Sequence, residues 1–204
     1  MSFYLFYDII YIGDYMIIEN NVTNILEIKK SKFITLLIKI DNSNDVDNYL
    51  DNIKKEYKDA THYCYAYIIG NKEKANDDGE PSGTAGIPIL NVLKRNSLNN
   101  ILCVVIRYFG GIKLGAGGLL RAYSNSVSEA LKVSNIIEYV PTLKIKIVFK
   151  YDNLTTINNL LINSNIIYKE FDINITYEVI LTETEYTNII DNLKNNSIEI
   201  KNVL

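Results

Sequence analysis

The stretch Arg107-Tyr-Phe-Gly-Gly-Ile-Lys-Leu-Gly-Ala-Gly-Gly118, with Asp77-Asp-Gly-Glu-Pro-Ser-Gly-Thr-Ala-Gly86 upstream of it, decides the fold of this 204-residue chain. Nine of the ten glycines and all three arginines fall between Gly70 and Arg121, whereas Asn, Ile, Lys and Tyr dominate elsewhere. Glycine reaches positive φ and lets a ligand approach the backbone closely. The clustering therefore indicates special backbone geometry in two segments, called here the first (77–86) and second (107–118) glycine segments.

Apolar runs with the periodicity of strands and helices surround both segments. Ile101 to Ile106 predicts a short central strand, and Thr61 to Ile69 alternates as another. Further upstream, residues 25–40 predict one or two strands, followed by a helix that Ser43 or Asn44 caps. After the second glycine segment, apolar residues recur at helical spacing, at Leu120, Tyr123, Val127 and Leu131.

Pro141 marks the expected boundary between two domains. The residues after it predict the order βαββαβ of a ferredoxin-like split βαβ, whose last helix opens with a candidate capping box at Thr182 and Glu185. We therefore predict an α+β protein with an N-terminal domain at 1–138 and a C-terminal domain at 139–204.

The cysteines and the N-terminal residues indicate the cellular compartment of the protein. Cys64 and Cys103 lie in apolar runs outside any Cys-x-x-Cys pair, which is typical of buried thiols in a reducing compartment. Residues 1–18 are apolar, but Asp8 and Asp14 interrupt them, and neither a basic n-region nor a small-residue cleavage site is present. We therefore predict that the chain has no signal peptide and no membrane partner. The predicted location is the cytoplasm.

The charge pattern favours an anionic partner at the second glycine segment. From Pro81 to Ser128 the chain has five basic residues and no acid. A glycine loop leading into a helix near Gly117 would direct free N–H groups at a phosphate, and Arg121, expected in the first turn, is disfavoured there without an anion. The predicted contacts are Arg107, Tyr108, Gly110, Gly111, Lys113, Gly115, Gly117, Gly118 and Arg121. Alternatively, the glycines simply allow tight packing.

A second candidate site, called here the His62 patch, surrounds the only histidine of the sequence. His62, Asp77, Asp78 and Glu80, with Ser82, Gly83 and Thr84 beside them, could bind a cation or supply a general base. The alternative is structural. The aspartates then open a turn, Glu80 pairs with Arg107 or Arg121, and His62 is a hydrogen-bonded side chain that lines the fold. Likewise, the tyrosines at 63, 65 and 67 are either a base-stacking stripe or core residues.

Three motifs together resemble a known family. Thr61-His-Tyr-Cys-Tyr-Ala66, the first glycine segment and Arg107 to Tyr123, in this order and spacing, are similar to the signatures of the YigZ/IMPACT family. The resemblance implies an N-terminal α+β domain like domain IV of elongation factor G and a C-terminal domain like its domain V. Bacterial members have no settled activity, whereas eukaryotic relatives act in translational control by binding an activator of a translation-initiation kinase.

These observations favour a translation-linked binding protein that holds RNA or a ribosome-associated component through phosphate. Two alternatives stay open: a hydrolase or phosphoryl-handling enzyme that uses the His62 patch, and a regulator that binds a protein partner. Neither a cofactor nor a metal is predicted. The glycine pattern is neither a Walker loop nor a dinucleotide fingerprint. The oligomeric state is left open.

Overall fold

The structure, a computed structural model, describes residues 15–203. The chain forms two compact units that divide between Tyr139 and Val140, and both combine helices with strands. The predicted α+β class is therefore confirmed, while the independent folding of two domains stays a prediction. No helix among the described residues has the length and apolar character needed to cross a membrane. The signal-peptide prediction rests mainly on residues 1–14, which lie outside the described part.

The described residues of the first unit, 15–139, form seven strands. In chain order they are Met16–Ile18 (β1), Val22–Ile28 (β2), Ser31–Lys39 (β3), His62–Ile69 (β4), Lys72–Asn76 (β5), Ile101–Tyr108 (β6) and Ile136–Glu138 (β7). Five of them form an antiparallel sheet in the order β2-β3-β6-β4-β5, and β1 pairs with β7 in a separate ladder. The apolar β6 lies at the centre, as predicted, because its side chains are buried on both faces.

Within the described range, three α-helices cover the two faces of this sheet. They are Val46–Glu56 (α1), Gly86–Arg95 (α2) and Ala116–Lys132 (α3). The apolar stripe of α1 covers one face, and α2 and α3 cover the other. The helix predicted after residue 40 is confirmed, although Asn42, rather than Ser43 or Asn44, caps the short 3-10 turn that precedes it. Neither α2 nor β5 was predicted.

Alternation along β4 separates its side chains between the two cores. Cys64 and Ala66 pack beneath α2 and α3, whereas Tyr63, Tyr65 and Tyr67 pack on the side of α1. Tyr65 is therefore a core residue, and Tyr63 and Tyr67 are partly buried against the same core, which favours the core alternative. Both cysteines are buried free thiols, as predicted.

The second unit is a four-stranded antiparallel sheet with two helices. Its elements are Thr142–Phe149 (β8), Leu154–Leu160 (α4), Asn165–Phe171 (β9), Ile175–Thr182 (β10), Glu183–Asn196 (α5) and Glu199–Asn202 (β11). The strand order β11-β8-β10-β9 is that of the predicted split βαβ. Thr182 and Glu185 form the predicted capping box at the start of α5.

Candidate functional site

A buried ion pair joins the two glycine segments. The Glu80 carboxylate accepts hydrogen bonds from the Arg107 guanidinium at 2.5 Å and from the Tyr123 hydroxyl at 2.8 Å. The Glu80 and Arg107 side chains are only 4% and 6% exposed, so the two charges neutralise each other away from water. The guanidinium also lies 5.5 Å from the ring centroids of Phe33 and Phe109. The two segments therefore meet at this pair, and of the two predicted partners of Glu80 the structure has Arg107 and not Arg121.

Asp77 caps helix α2 from outside the helix. Its carboxylate accepts hydrogen bonds from the backbone N–H groups of Gly83, Ala85 and Gly86, at 2.8, 2.9 and 2.8 Å. Burial alone would raise the pKa of Asp77, but these three donors stabilise the anion and hold the pKa below its usual value. The N–H groups at the start of α2 are thus already occupied by an anion of the chain itself.

His62 and Asp78 are also engaged within the fold. The Asp78 carboxylate accepts a hydrogen bond of 2.6 Å from the Tyr63 backbone N–H, and His62 Nδ1 lies 2.8 Å from the Asp78 carbonyl oxygen. A carbonyl only accepts, so Nδ1 carries the proton. His62 Nε2 lies 3.9 Å from Glu80. Among residues 15–203 no group of three His, Cys, Asp or Glu side chains is arranged to hold a metal.

The remaining residues of this patch shape the turn. Gly83 adopts a φ of +73°, which favours glycine, and the Thr84 hydroxyl donates to the Pro81 carbonyl at 2.6 Å. Ser82 is exposed. The patch therefore has the contacts of the structural alternative, in which acids and histidine organise a loop.

Tyr123 is a member of this network that sequence reasoning treated only as an apolar position. Its hydroxyl lies between Glu80 and the Cys64 sulfur, 3.3 Å away. Burial raises the pKa of the Cys64 thiol to about 12 and raises the pKa of the Tyr123 phenol far above its ordinary value. Both groups therefore stay protonated, and Tyr123 serves as a hydrogen-bond donor to the buried carboxylate.

The second glycine segment lies against the turn between β2 and β3. A Cβ at Gly110 would lie 2.0 Å from the carbonyl carbon and oxygen of Lys30, so no other residue fits there. The Gly110 N–H donates to the Ser31 hydroxyl at 3.2 Å. Lys29 and Lys30 are exposed on this turn. The packing thus places two cations beside the segment.

Helix α3 begins with its first turn open. Gly115, with a φ of +73°, precedes Ala116, and no side chain of the described part caps the helix. The first turn also carries no acid. The earliest N–H groups of a helix have no intrahelical partners, and the helix dipole is positive there. The helix start predicted after the glycine loop is therefore present and uncapped, one residue earlier than the predicted start at Gly117.

Gly117 differs from its neighbours, because the fold gives no reason for a glycine there. Its φ lies outside the left-handed region, and apart from the adjacent residues and the local helix backbone no described atom lies within 4 Å of the position that a Cβ would occupy. Gly111 and Gly115 have positive φ, and at Gly118 a Cβ would lie 3.1 Å from the Leu114 Cβ. Gly117 thus leaves an uncovered stretch of backbone on the first turn of α3.

Three predicted anion contacts need correction. Arg121 is the sixth residue of α3 and not in its first turn, so the expected repulsion by the dipole does not apply. Arg107 is removed from the anion contacts because Glu80 neutralises it in the interior. Tyr108 is removed because its ring packs in the core on the side of α1, where its hydroxyl donates to the Lys58 carbonyl at 3.0 Å.

Lys113 and Arg121 remain as exposed cations around the open turn. Neither forms an ion pair within the part of the chain that the structure describes. Arg121 follows Gly117 by four residues, so both lie on one helix face, and helical side chains lean toward the N-terminus. We call residues 109–118 together with Arg121 the glycine-rich surface.

Comparisons with known proteins point to one family. The family profile described as the Impact N-terminal domain matches residues 29–131. The chain is 44% identical over 163 residues to the IMPACT family member YvyE of Bacillus subtilis, covering 78% of this chain and 75% of that protein. It is 39% identical over 145 residues to the IMPACT family member YigZ of Escherichia coli, covering 69% and 71%. A crystal structure of a hypothetical protein aligns at 31% identity with a TM-score of 0.64, covering 94% of this chain and 98% of that one.

Proposed function

This chain belongs to the IMPACT family, and from that premise we propose that it is a translation-linked binding protein whose glycine-rich surface holds RNA phosphate at the N-terminus of α3. The translational part follows from the translational control that the family resemblance implies for eukaryotic relatives. The phosphate part rests on the residues of the surface.

Gly117 is the observation that carries the phosphate site. A glycine inside a helix costs up to about 1 kcal/mol relative to alanine. Neither packing nor a positive φ accounts for Gly117. A ligand that approaches the backbone of the first turn would account for it, because a methyl group there would keep the ligand away from the N–H groups.

The charges around this turn favour an anion. Arg121 lies one turn above Gly117, and Lys113 lies just before the helix. The segment from Pro81 to Ser128 has no acid that would repel a phosphate. A phosphate at a helix N-terminus accepts hydrogen bonds from backbone N–H groups and interacts favourably with the helix dipole.

Helix α2 provides an internal comparison for the same chemistry. Its first N–H groups are occupied by the Asp77 carboxylate, which the chain supplies. In α3 no carboxylate of the described chain takes that place. The proposal therefore assigns to an external anion in α3 the role that Asp77 has in α2.

A hydrolytic function at the His62 patch is less well supported. The carboxylates of Asp77, Asp78 and Glu80 all accept hydrogen bonds from the fold, and Glu80 is also paired with a cation. A general base must reach the proton that it removes. Using one of these acids as a base would break contacts that organise the first glycine segment.

Substitution of Gly117 by alanine tests the phosphate site. Gly117→Ala should leave the fold intact and raise its thermal stability slightly, because alanine favours a helix. It should weaken binding of a labelled single-stranded RNA at least about tenfold, which corresponds to the loss of one charge-assisted hydrogen bond. Asn125→Ala is the matched control, since Asn125 is exposed further along α3 and gains helix propensity without touching the first turn.

The salt dependence of the same binding gives a second criterion. Arg121→Glu or Lys113→Glu should weaken RNA binding irrespective of base sequence, because phosphate contacts carry no sequence information. Each should flatten the slope of log affinity against log salt by about 0.7 for every RNA phosphate that the variant no longer neutralises. Unchanged affinity and slope in folded variants would contradict the phosphate site and favour a protein partner.

A further inference from the structure

Phe109 is an exposed aromatic ring on a fixed backbone. It follows β6 directly and is 46% exposed. Its backbone N–H donates to the Thr61 hydroxyl at 3.0 Å, and the next residue, Gly110, packs against Lys30. The ring therefore stands at the surface on a backbone that is held on both sides.

One side of this ring is occupied by a buried cation. The Arg107 guanidinium carbon lies 5.5 Å from the Phe109 ring centroid, and Arg107 is only 5% exposed. The cation and the ring attract each other, which fixes the orientation of the ring. Since the residue is nearly half exposed, its uncovered surface faces solvent, where a planar group can lie against it.

The cations of the glycine-rich surface lie within reach of this ring along the chain. Phe109 and Lys113 are four residues apart, so their Cα atoms are separated by at most about 15 Å. The backbone of Lys30 lies against Gly110, in the segment between them. A flexible backbone of two or three nucleotides spans such a distance, with phosphates near the cations and a base near the ring.

We propose that Phe109 is a stacking platform for an unpaired base, so that the ligand of the glycine-rich surface is single-stranded RNA. This inference rests on the proposed phosphate site and specifies its ligand. Bases in a duplex are stacked on each other and do not reach a side chain of this kind, whereas unpaired bases stack on aromatic side chains irrespective of sequence.

The absence of tryptophan from the sequence makes a direct test practical. Phe109→Trp introduces a single tryptophan, and stacking of a base on it should quench its fluorescence. The probes are a short oligoadenylate, the corresponding duplex, and inorganic polyphosphate, which has phosphates but no bases. Quenching is expected with the oligoadenylate and not with polyphosphate or the duplex.

Phe109→Leu separates stacking from charge. It should weaken oligoadenylate binding at least about fivefold, the lower end of what one stacked base contributes, and leave polyphosphate affinity unchanged. Phe171 supplies the matched controls, because it is a 56% exposed phenylalanine in the second unit. Phe171→Leu should leave oligoadenylate affinity unchanged, and Phe171→Trp should show no quenching.

The outcomes distinguish this inference from the proposed function. If oligoadenylate binds but Phe109→Leu does not weaken it, or Phe109→Trp is not quenched, the stacking platform is overturned while the phosphate site stands. Equal weakening of oligoadenylate and polyphosphate by Phe109→Leu also overturns it, since the ring would then act only on the shape of the surface. If neither probe binds the unaltered protein, the phosphate site itself fails.

Discussion

The Asp77 carboxylate accepts a hydrogen bond of 2.8 Å from the backbone N–H of Gly86, nine residues further along the chain. Gly86 is the first residue of α2, and a Cβ there would lie 2.5 Å from the backbone nitrogen of Asn76. The first glycine segment therefore folds back on itself, so that its first residue, Asp77, caps the start of α2 at its last residue, Gly86. This contact requires both the Asp77 carboxylate and a glycine at position 86.

Replacing Asp77 by asparagine tests the cap. Oδ1 accepts from Ala85 and Gly86, and Oδ2 accepts from Gly83. In Asp77→Asn one of these oxygens becomes an NH2 group that faces another donor. We expect a loss of about 1 to 2 kcal/mol in the free energy of unfolding at neutral pH, measured by urea denaturation.

The pH dependence of this loss has a defined sign. The pKa of Asp77 is lowered in the folded protein, so its contribution is present above its unfolded pKa of about 3.9 and is lost as pH falls through the lower folded pKa. The difference between the unaltered protein and Asp77→Asn should therefore shrink in acid. A difference that stays constant from neutral to acidic pH would contradict the cap.

Glu80→Gln should be strongly destabilising. It keeps the shape of the side chain but leaves the Arg107 cation in the interior without a counter-charge, which costs about 3 to 5 kcal/mol. The matched control is Glu73→Gln, because Glu73 pairs with Lys94 at 2.7 Å with both side chains nearly half exposed. That change should cost less than about 1 kcal/mol in the same denaturation experiment. Similar losses for both variants would mean that the buried pair has no special role.

Tyr123→Phe isolates the hydrogen bond to the buried carboxylate. Glu80 then loses a donor while the aromatic packing is kept, and we expect a loss of about 1.5 to 3 kcal/mol. Tyr108→Phe removes a hydroxyl whose hydrogen bond to the Lys58 carbonyl is exposed, and it should change stability by less than about 0.5 kcal/mol. Thermal denaturation of the two variants side by side provides the comparison.

Gly110→Ala and Gly117→Ala should shift stability in opposite directions. At Gly110 the added methyl group meets the Lys30 backbone at 2.0 Å, and backbone displacement of this kind costs about 1 to 3 kcal/mol or more. At Gly117 the methyl group meets open space. A stable Gly110→Ala protein would show that the second glycine segment can move away from the turn between β2 and β3.

The two units should fold separately. Ile145, Phe149, Tyr177 and Leu193 belong to a core within the second unit, while the first unit has its own clusters on the two faces of its sheet. We propose that a fragment of residues 1–139 folds alone and binds single-stranded RNA within about threefold of the full chain, as expected for autonomous domains. Loss of its cooperative thermal transition would contradict this division.

Elements with local signals could be predicted from the sequence, and those with distant partners could not. The capping box of Thr182 and Glu185 lies within four residues, and α5 was predicted from it. Helix α2 was missed because its cap, Asp77, lies outside the helix, and because Gly86 and Pro88 at its start are typical of a loop. Proline is tolerated there since the first N–H groups of a helix have no intrahelical partners.

In the candidate site, too, contacts between residues distant in sequence could not be predicted. The glycine pattern indicated an open helix start, but Arg121, the sixth residue of α3, lies beyond the first turn. Tyr123 fell on an apolar stripe, and helical periodicity alone does not indicate that its hydroxyl contacts Glu80. Phe109 lay inside a recognised motif, yet its exposure depends on how the segment packs against Lys30.

The close packing of Gly110 on Lys30 has a consequence for the thermodynamics of recognition. The segment is anchored there, and again at Gly115, whose carbonyl accepts the N–H of Leu119 at 2.9 Å. Ordering one residue costs about 1 to 2 kcal/mol in backbone entropy. Because folding already meets that cost at both anchors, an RNA strand bound as proposed here would have little loop to order and would retain more of its contact energy as affinity.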